Sequence, residues 1–101
     1  MYIYNVTTKV AHHIHTDWFH WMKNEHIPAV MHTNCFTKHV FVRLLEVDEE
    51  DGATYAVQYF ANQIADYNRY IDEFSVGLRN DGINKWGNQT IAYRTLMQVV
   101  D

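Results

Sequence analysis

The hydrophobic repeat of this chain switches between two residues and about 3.6, and the order of those switches restricts the fold more than any motif does. Tyr2 to Val10 alternates: Tyr2, Tyr4, Val6 and Val10 point one way, Asn5, Thr7 and Lys9 the other, as in a strand with one buried face. After Ala11 the period lengthens, and Ile14, Trp18, Trp21 and Met22 fall at helical spacing. Thr16 is placed to cap that helix, and Asp17 suits the positive end of its dipole. Pro28 cannot donate the next helical bond, so it predicts a kink or a short second turn over Pro28–His32. Asn34 then stands where a left-handed cap is wanted.

Alternation returns in Phe36 to Val47, where Val40, Val42 and Leu44 oppose Phe41, Arg43 and Leu45. The acidic stretch Asp48 to Gly52 reads as a turn, with Gly52 free to take a positive φ. Ala53 to Ala61 alternates again, with Tyr55, Val57 and Tyr59 on one side, so the two strands make a hairpin with a long loop. Asn62 can cap a helix whose stripe is Ile64, Tyr67, Tyr70, Ile71, Phe74 and Leu78, with Gly82 as its stop. Gly87 closes a short turn over Ile83–Trp86, and Thr90 to Val100 is a last strand.

The order is β-α-β-β-α-β, which predicts a ferredoxin-like α+β domain over residues 1–101: a four-stranded antiparallel sheet with two helices on one face. The more apolar face, carrying Tyr4, Val6, Val40, Val42, Val57, Tyr59, Tyr93 and Met97, is expected under the helices. The opposite face would hold Ile3, Asn5, Phe41, Arg43, Gln58, Arg94 and Leu96. That mixture suits a partner surface, and the simplest partner is a second copy packed sheet to sheet, giving a dimeric α/β barrel.

Composition narrows the functional classes. Eight basic residues against twelve acidic give a net charge of −4, which argues against a nucleic-acid-binding face. Cys35 is the only cysteine, so neither an intrachain disulfide nor a Cys-rich zinc cluster is available. No apolar run approaches the roughly 20 residues that span a bilayer, and the N-terminus lacks a secretory pattern. The expectation is a cytoplasmic protein with no membrane partner and no cofactor.

The segment Trp21 to Pro28, followed by Asn34-Cys35-Phe36, resembles the "W…E-H-x-P…G-F" element of dimeric α/β-barrel proteins. Those include antibiotic-biosynthesis-type monooxygenases, muconolactone-isomerase-like enzymes and haem-degrading relatives. Asn34 departs from the glycine of that pattern. The whole chain resembles a small uncharacterised bacterial family of unknown function, through Tyr4 to Thr7, Trp18 to Met22, His26 to Pro28, Phe36-Thr37, Thr54 to Tyr59 and Ala92 to Thr95. The resemblance implies the fold, the homodimer and, in the enzyme families, a histidine at the place of His26 lining a pocket between helices and sheet.

Each candidate site residue has a plainer reading beside it. His26 is the one candidate for acid/base catalysis. Its expected place at a helix C-terminus would raise its pKa, yet histidines also cap helix ends for structural reasons. Trp18, Trp21 and Met22, with Tyr4, Tyr59 and Tyr93, are candidates to wall a pocket for a small hydrophobic ligand, or simply form core. Asn5, Arg43, Gln58 and Arg94 are candidates for the dimer or barrel face, or for holding a carboxylate. His12, His13 and His15 invite a metal reading, but no carboxylate at matching spacing completes a ligand set, so no metal is expected. Cys35 reads as a half-buried turn cysteine rather than a reactive thiol. Seven histidines also make the surface charge sensitive to pH near about 6.5.

Two functional readings stand side by side: a homodimeric binder or cofactor-free enzyme of small hydrophobic ligands, and a non-catalytic dimeric scaffold or regulator. An RNA-recognition module is a remote third. Its third-strand signature is faintly echoed by Gly52 to Tyr59, but Asp51 stands where a basic residue is required.

Overall fold

Strand β1 (Tyr2–Ala11) lies inside an antiparallel sheet of order β2-β3-β1-β4, between β3 (Gly52–Ala61) and β4 (Thr90–Gln98), with β2 (Lys38–Arg43) at the far edge. The computed structural model describes all residues, Met1–Asp101. The first crossover is one helical run: a 3-10 turn at His12–Ile14, α1 (His15–Trp21), a π-helical turn at Met22–His26, and α2 (Ile27–Met31). The second crossover is α3 (Ile64–Glu73) followed by α4 (Ser75–Trp86). This is the ferredoxin-like arrangement that the alternation of periods predicts.

The boundaries differ from the expected ones for local reasons. The first helix begins at His15, so Thr16 lies inside it and no side chain caps its start. Pro28 stands in the first turn of the short helix α2, so the short second turn expected from it is present, although the helical run continues into it without a break. The turn before it widens, and the Ile27 N–H reaches back five residues to the Met22 carbonyl. A proline ring clashes with the carbonyl of residue i−4, and a π turn relieves that crowding. Asn34 takes φ 61 as expected. Strand β2 stops at Arg43 rather than Val47, and Glu46 at φ 59 turns the chain away. Gly52 is required by close approach: a Cβ there would lie 2.0 Å from the Val10 carbonyl oxygen. Gln63, not Asn62, precedes α3. Gly82 does not stop the second helix, which runs on to Trp86 and ends at Gly87 with φ 59. Between α3 and α4 the chain bends at Phe74, where the Ser75 hydroxyl donates to the Ile71 carbonyl at 2.7 Å.

The register fixes which residues share a face, because directly opposed residues point the same way. Phe41 opposes Val57, which opposes Val6, which opposes Arg94. Arg43 opposes Tyr55, which opposes Thr8. The helix face therefore carries Tyr4, Val6, Val57 and Tyr59 as expected, but also Phe41, Arg43, Arg94 and Leu96. Val40, Val42, Tyr93 and Met97 lie on the open face with Ile3, Asn5 and Gln58. The two edge strands are thus turned over relative to the expected assignment. In β2 the deciding contact is Phe41, whose ring stacks on Phe19 at 5.6 Å and meets the edge of Trp18 at 6.1 Å. In β4 both faces offer apolar side chains, so alternation alone does not choose between them.

Packing is uneven across the inner face. Tyr4, Val10, Trp18, Val57, Tyr59 and Tyr70 are all under 5 % exposed and form the core between helices and the central strands. Burying a large apolar side chain contributes about 1.5–3 kcal/mol. Over β4 the helical cover ends, and Ala92, Arg94 and Leu96 on its inner face remain exposed.

Candidate functional site

The uncovered stretch of the inner face is the mouth of a cavity of about 240 Å³ between the helical layer and strands β1 and β4. Five of the residues expected to wall a pocket line it: Tyr4, Trp18, Trp21, Met22 and Tyr59. His26 lines it too. Tyr93 does not; it opposes Thr7 on the open face and is 66 % exposed. The reason is the turned-over β4, which brings Ala92 and Arg94 inward in its place. Of the residues expected on the dimer face, Asn5 and Gln58 lie on the open face of the sheet, and the Asn5 amide donates to the Thr7 hydroxyl at 2.9 Å. Arg43 stands on the other face at the sheet edge, paired with Glu49 at 2.9 Å and lying over the Tyr55 ring.

The π turn places His26 in the site. It brings residues five apart to one side of the helix, and the His26 and Trp21 rings stack at 4.8 Å with 23° between planes. The expected rise in the His26 pKa does not occur. His26 sits within a continuous helical run, so no helix end acts on it. Burial instead lowers its pKa from the ordinary value, Arg94 lowers it further, and Asp81 opposes them. Burial therefore favours the neutral imidazole over the imidazolium.

Two tyrosines form the floor. Burial raises the pKa of both Tyr59 and Tyr70, with Tyr4 adding to the rise in each. Tyr4 sits among Phe36, Tyr59, Tyr67 and Tyr70, with ring centroids 5.5–6.1 Å away. Its hydroxyl accepts a hydrogen bond from Arg79 Nη2 at 3.2 Å.

Arg79 and Tyr70 are among the lining residues that the sequence does not single out for a pocket, and Arg94, expected on the dimer or barrel face or holding a carboxylate, joins them here. Arg79 shares a helix side with Ser75 and Gly82, four before and three after it. Ser75 is 2 % exposed, and a Cβ on Gly82 would meet Trp21 at 3.6 Å. That spacing of small residues marks a helix face pressed against a neighbour, and it is the signal that places Arg79 inward.

The remaining candidates do not converge. His12 Nε2 bonds the Glu49 carbonyl and His15 Nε2 bonds the Tyr55 hydroxyl, each at 2.7 Å, so this pair is split between two partners. No three His, Cys, Asp or Glu side chains are grouped to hold a metal ion. Cys35 is fully rather than half buried, and its thiol donates to the Thr33 carbonyl at 3.7 Å. His32 and His39 border a second hollow of about 260 Å³ between α2 and β2. No helix is long and apolar enough to cross a membrane.

A four-stranded antiparallel sheet in this order, crossed twice by helices on one face, defines an α+β protein of ferredoxin-like fold with a lateral cavity. A solved structure with that fold, an ethyl tert-butyl ether d (EthD) family protein from Bacillus halodurans, superposes with a TM-score of 0.70 at 9% sequence identity, covering 99% of this chain and 100% of that one. The chain belongs to the family described as a domain of unknown function, DUF4286, whose model matches residues 1–100. No curated protein matches the sequence.

Proposed function

We propose that the protein binds a small hydrophobic ligand in the cavity between its first helix and the sheet. The observation that carries this reading is the cavity itself. The domain has a half-open hollow of about 240 Å³ beside its core, lined by 12 hydrophobic residues out of 19. An engineered apolar cavity of roughly 150 Å³ is already enough to hold benzene, so a substituted one- or two-ring molecule is the size class. His26 beside that space supplies an acid/base group for cofactor-free proton transfer, the chemistry an enzyme of this form would perform. Trp18 and Trp21 in the wall make the test direct. Titration with neutral 2-naphthamide is expected to quench tryptophan fluorescence saturably and to raise the melting temperature. The absence of both effects across a panel of one- and two-ring probes removes the reading.

We further propose that the working form is a homodimer joined through the open sheet face. Val40, Val42, Ile91 and Tyr93 are exposed by 40%, 40%, 54% and 66%, and all four lie on that face. Its only charged side chains, Lys9 and Lys38, lie toward its margins. Apolar side chains on both edge strands flank a centre of Asn5, Thr7, Ala56 and Gln58, and a face so poor in charge suits isologous packing about a two-fold axis. Light scattering is expected to give about twice the 12.0 kDa chain mass, and Tyr93→Asp to give the monomer. A monomeric unmodified chain across micromolar to millimolar concentration rejects the dimer.

A further inference from the structure

The cavity carries an unbalanced charge. The chain has twelve acidic residues and eight basic ones, yet the lining holds two arginines, Arg79 and Arg94, and no aspartate or glutamate. Neither arginine has a carboxylate within ion-pair distance; the ion pairs of the molecule are Lys9–Asp51 and Arg43–Glu49. Arg79 gives one N–H to the Tyr4 hydroxyl, while its Nε is buried without any acceptor. An unsatisfied buried donor is costly, and more so when it belongs to a charged group. Other arginines of the chain are satisfied: Arg69 donates to the Thr33 and Asn34 carbonyls, and Arg43 makes a forked contact with Glu49. The two that face the hollow lack an acceptor partner of that kind.

We propose that the occupant of the cavity is a small organic anion, an apolar ring or chain bearing one carboxylate, held by Arg79 and Arg94 while its body lies against Trp18, Trp21 and Met22. This rests on the cavity being a binding site and adds the chemical class of its ligand. Guanidinium groups recognise planar carboxylates through paired, charge-assisted N–H bonds, and a partly desolvated setting strengthens them. The mainly apolar wall leaves the anionic group to one end of the ligand. Arg94 stands on the exposed edge strand at the mouth and Arg79 on α4, so the carboxylate end lies toward the α4–β4 opening and the apolar end toward the first helix.

The experiment compares 2-naphthoate with 2-naphthamide, nearly isosteric and differing in charge, by titration calorimetry at low ionic strength. The unmodified protein is expected to bind the acid at least tenfold more tightly than the amide. Arg94→Gln, on an exposed strand position where folding is secure, is expected to remove most of that preference by weakening acid binding far more than amide binding. Arg79→Gln is expected to act the same way, with circular dichroism checking that the lost Tyr4 contact leaves the fold intact. Equal affinity for acid and amide in the unmodified protein overturns the anion proposal while leaving the cavity as a binding site. An acid preference that survives both single substitutions also overturns it. Binding of neither probe overturns the proposal and the binding reading together.

Discussion

The two halves of the sheet's inner face are covered by the same helical layer and end differently. Over β3 and the neighbouring part of β2, beside the hollow that borders α2, the space is filled with rings: Phe19, Phe41, Tyr55 and Trp18 lie with centroids 5.3–6.1 Å apart. Over β1 and β4 the corresponding positions are Thr8, Thr90, Ala92 and Arg94, and the space is hollow. Aromatic pairs of this kind contribute beyond their buried area, so the filled half is where stability concentrates. The hollow half keeps the Tyr4 ring on β1, but toward β4 it has small and cationic side chains in place of rings. The difference teaches that an edge strand can be kept in the sheet by its ladder alone while its inner face is released for another purpose. β4 pairs with β1 along its whole length, from Thr90 to Gln98.

The largest expected effect tests the filled half. Tyr55 is 8 % exposed, touches Trp18, Phe19 and Phe41, and holds His15 through its hydroxyl. Tyr55→Ala removes all of these and leaves a void, at a cost of about 3–5 kcal/mol. For a domain of this size, total stability is about 5–15 kcal/mol, so the denaturant midpoint should fall steeply or folding should fail. A loss below about 1 kcal/mol in urea titration would mean that this half is no better packed than the other.

The next effect is on binding rather than stability. Ala92 lines the hollow and is exposed on the edge strand. Ala92→Phe puts a ring where the filled half already has one. Stability is expected to change by no more than about 0.5 kcal/mol, since the site is neither close-packed nor hydrogen-bonded. Affinity for 2-naphthamide is expected to drop tenfold or more. Calorimetry and thermal melting on one variant decide this, and a destabilised variant with unchanged binding would reverse the roles assigned to the two halves.

The central strands were legible from sequence because they contain one strongly apolar face each. Tyr4 and Val6 in β1, and Tyr55, Val57 and Tyr59 in β3, left no choice of side. The edge strands were not, because each carries apolar side chains on both faces. Val40 and Val42 outnumber Phe41, but one phenylalanine beside Trp18 and Phe19 outweighs two valines. Tyr93 and Met97 similarly outnumber Leu96, yet the β1 ladder sets Leu96 beside Tyr4. A shift of one residue reverses a strand's faces, so the facing of β4 carries Arg94 from the expected dimer surface into the cavity, and that of β2 carries Arg43 to the helix side of the sheet edge. Trp18, Trp21, Met22 and His26 were found because Pro28 and the tryptophan spacing marked the first helix. The π turn that aims His26 was not legible, since it answers a backbone clash rather than a side-chain pattern.

The smallest expected effect concerns His26, which belongs to the hollow half and yet is buried enough to resist protonation. Its folded-state pKa lies below the ordinary value of about 6.5. As pH falls through about 6.5, the unfolded chain takes up a proton that the folded chain declines, so the unfolded state gains and stability falls. The loss continues until pH reaches the lower folded-state value and then levels off. His26→Gln removes this contribution, so the drop in melting temperature between pH 7.5 and 5 is expected to be smaller than in the unmodified protein. The variant also loses the ring that stacks on Trp21, which lowers its melting temperature at pH 7.5 and separates packing from titration. Equal pH sensitivity in both proteins would mean that His26 protonates freely in the folded state. The hollow half would then be wet up to the first helix, and the burial that distinguishes it from a surface groove would be lost. Addition of 2-naphthoate sharpens the same measurement. A carboxylate bound at Arg94 offsets the charge by which that arginine lowers the His26 pKa, so the bound protein should lose less stability on acidification than the free one.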